Sequence, residues 1–312
     1  MKRLMATAIL GIGLSCAGNQ TVLPPDTTSV TIEHPQVTGA VRLSFAGTLG
    51  DEQAIRSPWG ISFGIDGTLY VCDRGKSSIV RLDSTGVIRS HFDSFTNRTE
   101  RLYAPIDVCS SSGIEVYCVD ATDSRVLRFD RNLKNGYTIH RGGTKEVRLF
   151  GAFNGLAYDR ISGDLYITDR DAGTVIRVDM LGGSIRSLGG FGAERKSLIQ
   201  PAGLDVDDEG GLYVADTGYG AIAVIRKFGS KVEFIGGNVL KAPVDAAVLP
   251  GGRIAVADLE GVVILSPEGI AAGSAGFGVD RVMVPRSVAY RNGRLYVSDG
   301  LSATILIYDI KD

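Results

Sequence analysis

Histidine, tryptophan and cysteine are rare in this chain, whose 312 residues contain 3 His, 1 Trp and 4 Cys. His91 and His140 fall in segments that we expect to be outer strands, and His34 precedes the repeated region. Zinc sites in proteins need several convergent His, Cys or acidic ligands. A histidine-based zinc centre is therefore not expected.

The chain also lacks an excess of positive charge and any helical pattern. Its 33 Lys and Arg are balanced by 35 Asp and Glu, which gives a formal net charge of −2. Because proteins that bind nucleic acids need a basic face to neutralise phosphates, we do not expect a nucleic-acid partner. Short apolar runs separated by turns replace the 3.6-residue period of amphipathic helices, which predicts an all-β protein.

A short apolar run that ends in Asp recurs six times, about 40–50 residues apart, a spacing typical of repeat architectures. An Asp carboxylate at a strand end can accept hydrogen bonds from the backbone of nearby turns. Because the same residue recurs in every unit, we expect a structural role for it and not metal binding. The six residues are Asp73, Asp120, Asp169, Asp216, Asp258 and Asp299.

Each unit opens at a Pro or Gly, contains a tight turn such as Asp66-Gly67, and continues with two further strands. Four antiparallel strands per unit and six units predict a six-bladed β-propeller over residues 41–312. The last unit reaches the end of the chain after its third strand. We expect residues 41–45 to supply the missing fourth strand, so that no strand edge is left open.

The opening Pro58-Trp59-Gly60, the second strand Leu69-Tyr70-Val71-Cys72-Asp73 and the connector Leu188-Gly189-Gly190-Phe191-Gly192 resemble the NHL-repeat family of six-bladed propellers. The resemblance covers residues 41–312 and implies the fold. It does not fix an activity, because the family includes protein-binding and RNA-binding platforms, sensor domains and a few lyases or lactonases.

Residues 1–15 resemble a bacterial signal peptide, with Lys2 and Arg3 before an apolar stretch. The segment Gly13-Leu14-Ser15-Cys16 resembles a lipobox, in which Cys16 is acylated, although Gly13 stands where Leu is usual; ordinary cleavage nearby is the alternative. Residues 16–40 are rich in Thr, Pro, Asn and Gln and are predicted to be a flexible tether. We therefore expect an exported monomer, anchored by its lipid to the membrane of a bacterial cell envelope.

Export would place the protein in an oxidising compartment, where disulfides can form, and three more cysteines fall in the first two units. A two-residue turn in the second unit would place Cys109 opposite Cys118, which makes a disulfide possible. The alternative is that both are buried free thiols. Cys72 has no evident partner.

The strands that line the channel of a propeller are the first strands of its blades. Here they carry a possible set of oxygen ligands for Ca²⁺ or another divalent cation: Asp107, Asn154, Asp205 and Asp245. Such a site would support a hydrolase or lyase of the lactonase type. This is the alternative to our main hypothesis, which is a binding or scaffold module without a cofactor.

The main hypothesis places binding on the loops that follow the second strands and surround the channel mouth. The partner would be a protein, a small molecule or a glycan. The candidate residues are those that depart most from the repeat: Trp59, Arg74, Lys76, Arg125, Arg170, Tyr219 and Arg286.

Overall fold

The computed structural model describes residues 41–50, 55–93, 100–141, 152–179, 185–189, 197–227, 231–259, 261–276 and 284–311. These residues form six antiparallel sheets of four strands each, which confirms the predicted six-bladed propeller. The predicted signal peptide (1–15), the tether (16–40) and Cys16 lie outside the described residues. None of the helical segments within the described ranges is long and apolar enough to cross a membrane.

The strands of the first three blades follow one another along the chain after β1 (Arg42–Leu49). Blade 1 contains β2 (Pro58–Phe63), β3 (Leu69–Asp73), β4 (Ser78–Leu82) and β5 (Ile88–Asp93). Blade 2 contains β6 (Pro105–Ser110), β7 (Glu115–Asp120), β8 (Arg125–Asp130) and β9 (Tyr137–Arg141). Blade 3 contains β10 (Phe153–Tyr158), β11 (Asp164–Asp169), β12 (Thr174–Asp179) and β13 (Ile185–Gly189).

The remaining blades repeat this order, and the last one borrows its outer strand from the start of the described chain. Blade 4 contains β14 (Pro201–Val206), β15 (Leu212–Asp216), β16 (Ala221–Ile225) and β17 (Val232–Ile235). Blade 5 contains β18 (Asp245–Val248), β19 (Ile254–Asp258), β20 (Gly261–Leu265) and β21 (Ala271–Gly276). Blade 6 contains β22 (Pro285–Arg291), β23 (Arg294–Asp299), β24 (Thr304–Lys311) and β1.

The pairing of β1 with β24 closes the ring as predicted. The strands are antiparallel, with Arg42 opposite Lys311 at one end and Leu49 opposite Ile305 at the other. A bulge after Phe45 carries β1 further than the five residues expected from the sequence. Leu43 and Tyr308 are buried in the same apolar cluster, so packing as well as backbone hydrogen bonding holds the closure.

The core lies between neighbouring blades. Every residue of β3, β15 and β19 is buried, as expected for second strands covered on both faces. The cluster between blades 1 and 2 contains Tyr70, Phe92 and Leu127, and similar clusters lie along the rest of the ring. Each fully buried side chain of this size contributes about 1.5–3 kcal/mol.

The recurring Asp residues have the structural role that was predicted. The carboxylate of Asp216 accepts hydrogen bonds from the backbone N–H groups of Ile199 (2.8 Å) and Gln200 (3.0 Å), which precede the first strand of its blade. It also accepts from Gly218 (3.0 Å) and Tyr219 (3.2 Å) in the following loop. Equivalent bonds are made by Asp73, Asp120 and Asp299. The second-strand Asp therefore ties the connector entering each of these blades to the loop beside it.

The possible disulfide between Cys109 and Cys118 is not formed, and the alternative of two buried free thiols is confirmed. Both residues are free thiols, and Cys109 lies opposite Tyr117 while Val108 lies opposite Cys118. The turn of blade 2 contains three residues between the Ser111 N–H and the Glu115 carbonyl, not two. A shift of one residue moves a side chain to the other face of the sheet.

The two thiols consequently pack in different clusters, and Cys118 meets a different cysteine. Cys109 is buried between blades 2 and 3, whereas Cys118 is buried between blades 1 and 2. There its Sγ lies 3.7 Å from Sγ of Cys72. Burial raises the pKa of all three thiols, so they are protonated at neutral pH.

Candidate functional site

The six first strands, β2, β6, β10, β14, β18 and β22, surround the central channel and each contacts its two neighbours. At the third position of the unit, two residues after the opening Pro, blades 2 and 5 carry Asp107 and Asp245, whereas blades 1 and 4 carry Gly60 and Gly203. A Cβ atom on Gly60 would collide with the carboxylate of Asp107, and one on Gly203 would collide with that of Asp245. Glycine on one strand thus makes room for a carboxylate on the next.

Each of the three channel carboxylates also binds the backbone of the following blade. Oδ2 of Asp107 accepts from the N–H of Leu156 (2.7 Å), and Oδ2 of Asp205 accepts from that of Val248 (2.9 Å). Oδ2 of Asp245 accepts from the N–H of Val288 (3.0 Å) and from Oγ of Ser287 (2.5 Å). The other oxygen of each carboxylate accepts from the next residue of its own strand.

These three carboxylates line a cavity of about 270 Å³ inside the channel. The rest of the wall comes from the ends of the first strands and from the turns that follow them, including Cys109, Tyr158, Arg160 and Tyr290. Arg160 extends from blade 3 to blade 1, where its Nη2 donates to the carbonyl oxygen of Phe63 (3.3 Å). No sequence signal indicated Tyr158, Arg160 or Tyr290, because none of them belongs to the repeated motif.

The channel raises the pKa of all three carboxyl groups. Burial, followed by the charge of Asp245, raises the pKa of Asp107 well above its ordinary range. Burial raises the pKa of Asp205 to about 6 and that of Asp245 to about 7, against hydrogen bonds that favour the charged forms. The channel therefore favours the protonated form of all three groups relative to carboxyls in water, while Asp205, with a pKa of about 6, is largely ionised at neutral pH.

The donor set predicted for a divalent cation does not fit one. Asn154 occupies the second position of its blade, Asp107 and Asp245 the third, and Asp205 the fifth, so the side chains leave the channel wall at different depths. No group of three or more His, Cys, Asp or Glu among the described residues is placed to hold a metal ion. The carboxylate oxygens also face N–H donors, which would repel a cation. We assign no chemistry to a metal at this site.

Three of the residues predicted for the loop face lie together at the channel end opposite the cavity. The guanidinium carbons of Arg74 and Arg286 lie 4.3 Å and 4.4 Å from the ring centroid of Trp59. Arg170 lies elsewhere on that face, where its Nη2 donates to Oε1 of Gln200 (3.3 Å).

Of the other three, two are exposed and one is buried. Tyr219 is 43% exposed and packs on Phe234, and Lys76 is an exposed residue of the turn after β3. The prediction for Arg125 is wrong, because this residue is only 3% exposed. Its guanidinium donates to the carboxylates of Glu100 (2.8 Å) and Asp120 (3.1 Å), so it neutralises buried charge within blade 2.

Solved structures with a similar fold include enzymes of several kinds. A gluconolactonase from Xanthomonas campestris is 15% identical, with a TM-score of 0.67, over 90% of this chain and 96% of that one. Virginiamycin B lyase from Staphylococcus aureus is 12% identical, with a TM-score of 0.59, over 86% and 99%. The PQQ-bound aldose sugar dehydrogenase of Streptomyces coelicolor is 17% identical, with a TM-score of 0.59, over 89% and 100%.

At this level of identity the similarities establish the propeller fold and do not carry an activity across. No protein-family model matches the chain, and no curated protein sequence matches it. The NHL type of the repeats stays a prediction.

Proposed function

We propose that this propeller is a hydrolase or lyase that acts on a small polar molecule in its central channel by general acid–base catalysis. One observation carries the proposal: three carboxyl groups with raised pKa values converge on a single cavity. Perturbed carboxyls of this kind cluster at active sites. The fold shared with a gluconolactonase and with virginiamycin B lyase agrees with it.

The raised pKa values suggest separate roles for two of the acids. With a pKa of about 6, ionised Asp205 would take a proton from an attacking water molecule. Asp107, whose protonated form is favoured by burial and by the charge of Asp245, would give its proton to the oxygen that leaves when the ester C–O bond of a lactone breaks. One proton enters Asp205 and one leaves Asp107 during the reaction, and proton exchange with solvent then returns both groups to their starting states before the next turnover.

The test is hydrolysis of a panel of aldonolactones, including glucono-δ-lactone, together with linearisation of a streptogramin B depsipeptide. We expect Asp107→Asn and Asp205→Asn each to lower kcat about 100-fold or more. Asp309→Asn is the matched control, because its carboxylate pairs with Arg294 outside the channel; it should stay within about twofold of the parent. Treatment with a chelator should leave the activity unchanged.

The proposal fails if the folded parent turns over none of these substrates, or if the channel variants keep the parent rate. Unfolding curves for each variant separate loss of chemistry from loss of structure. A lost hydrogen bond at either carboxyl would cost about 1–3 kcal/mol without unfolding the ring.

A second candidate function is binding of a partner at the face that carries the second-strand loops. Large apolar side chains are exposed in the connectors and loops of that face, where a partner could bury them. They are Tyr103, Ile199, Tyr219, Leu259 and Leu301. Recovery of one specific protein on the immobilised native chain, and its loss with Tyr219→Ala and Leu301→Ala, would favour this function over catalysis.

The cellular setting is part of the proposal. We propose an exported monomer with NHL-type repeats, anchored to the bacterial envelope through an acylated Cys16. A Cys16→Ser variant should lose the lipid mass and leave the membrane fraction. Membrane association that persists in this variant, with no lipid on the parent, would contradict the anchor.

A further inference from the structure

Two arginines of neighbouring blades contact the same indole at the channel end opposite the cavity. Trp59 is the second residue of β2, and Arg286 is the second residue of β22. Arg74 follows directly after β3, in the turn that begins at the end of that strand. Their guanidinium carbons lie 4.3 Å (Arg74) and 4.4 Å (Arg286) from the ring centroid of Trp59.

The indole is a fixed platform. The carbonyl oxygen of Trp59 accepts a hydrogen bond from Oγ of Ser298 (2.5 Å), which joins blade 1 to blade 6. The side chain of Trp59 packs against the apolar clusters on both sides of blade 2. Cation–π attraction holds each guanidinium on the ring, at about 0.5–2 kcal/mol.

No carboxylate among the described residues bonds directly to this pair of positive charges. Among the described residues, neither Arg74 nor Arg286 forms an ion pair, and the buried Nε of Arg286 has no hydrogen-bond acceptor. Burial, followed by the charge of Arg74, lowers the pKa of Arg286. Buried donors of this kind are normally satisfied by a partner or a ligand.

The nearest carboxylates are already committed to backbone groups. Asp299 accepts from the N–H groups of Val284 and Leu301, so its charge acts on Arg286 without a direct bond. Asp73, next to Arg74 in the chain, accepts from the N–H groups of Arg56 and Ser57. The charge of the arginine pair is therefore available to a molecule from solution.

We infer that Trp59, Arg74 and Arg286 form a binding site for the oxyanion group of a small molecule, a phosphate or a carboxylate. Planar guanidinium groups match both anions through paired N–H donors. The site lies at the start of β2, whereas the cavity is lined by Ile61, Ser62 and Phe63 at its end. It therefore does not depend on the proposed catalytic function.

Trp59 makes the test direct, because it is the sole Trp of the 312 residues and thus the source of the indole fluorescence. The parent protein is titrated with inorganic phosphate and, separately, with succinate, at constant ionic strength set with KCl. We expect a saturable change in Trp59 fluorescence with at least one of the two anions. The tighter one identifies the chemistry of the natural ligand as a phosphate ester or a carboxylate.

Arg286→Gln and Arg74→Gln should each weaken binding at least tenfold. The matched control is Arg170→Gln, because Arg170 follows the second strand of blade 3 as Arg74 follows that of blade 1; it should stay within twofold. If Arg286→Gln does not fold, Arg286→Lys keeps the charge without the paired donors and should still weaken binding.

Two results would overturn the inference. One is a parent protein that binds neither anion by fluorescence or by isothermal titration calorimetry. The other is a loss of binding in Arg170→Gln as large as that in Arg286→Gln, which would reflect the general charge of the face and not a built site.

Discussion

Raising the pH from about 4.5 to 8.5 should weaken the folded protein, because a buried acid must ionise. Asp245 is the clearest case, since only 7% of its surface is exposed. Burial raises the pKa of this carboxyl from 3.8 to about 7 in the folded protein. A group whose folded pKa is raised stabilises the protein fully below its unfolded pKa and loses that contribution as the pH passes the folded value.

The size of the effect follows from the two pKa values. One pKa unit corresponds to about 1.4 kcal/mol, so ionising Asp245 in place costs up to about 4 kcal/mol by the time the pH exceeds 7. Asp205, whose pKa is raised to about 6, adds a loss of the same sign at a lower pH. The free energy of unfolding should therefore fall by a few kcal/mol between pH 5 and pH 8, which is a large part of the about 5–15 kcal/mol typical of domains.

The assay is urea unfolding across this pH range, followed by the fluorescence of Trp59. Asp245→Asn should have a flatter pH dependence than the parent, although its stability at low pH should be lower by about 1 kcal/mol through a poorer hydrogen bond to Ser287 or Val288. The burial of His140 lowers its pKa and gives a contribution of opposite sign. Comparing parent with variant cancels that contribution.

A parent whose stability is constant or rises between pH 5 and pH 8, with Asp245→Asn parallel to it, would refute this reasoning. The carboxyl would then be no harder to ionise in the channel than in water. The acid–base roles proposed for the site would lose their physical basis with it.

Three further predictions concern the ring itself. Removing β1 and the residues before it should lower the unfolding midpoint of the whole protein, because this change opens the last blade. Removing residues 1–40 alone should not, because β1 is kept. Asp216→Ala should lower the free energy of unfolding by about 2 kcal/mol or more, since four backbone donors lose their acceptor, and the exposed control Asp309→Ala should cost about 0.5 kcal/mol. Refolding with oxidised glutathione should link Cys72 to Cys118, which peptide mapping under non-reducing conditions would detect; any other pairing would contradict the 3.7 Å contact.

Much of the fold could be predicted because the signals for it repeat. Six copies of one motif average out local ambiguity, and the early end of the last unit pointed to a closing strand before β2. The role of residues such as Asp216 was also predictable, since an Asp that recurs at the same strand end in every blade is expected to accept backbone hydrogen bonds there. The strand register was harder to predict. The turn before Glu115 has one residue more than expected, and this was enough to place Cys109 and Cys118 on opposite faces of the sheet.

The candidate sites could be predicted only in part, because they depend on contacts between distant blades. Asp107 and Asp245 could be placed in the channel, but their raised pKa values reflect burial and the charges of neighbouring carboxyl groups, which no local pattern reveals. Arg125 has the charged side chain expected of a surface loop, but it is buried because the carboxylates of Glu100 and Asp120 neutralise its charge. The contact of Trp59 with Arg286 joins the first and last blades, so it could be recognised only in the folded ring.

The closure of blade 6 has a consequence for how the protein is made. Because β1 pairs with β24, the ring has a partner for its first strand only after nearly the whole chain has left the ribosome. Until then β1 has no partner strand, and the growing chain cannot complete its cooperative structure. For a chain that is exported as we propose, such a delay would keep the chain in the extended form that a translocation pore requires.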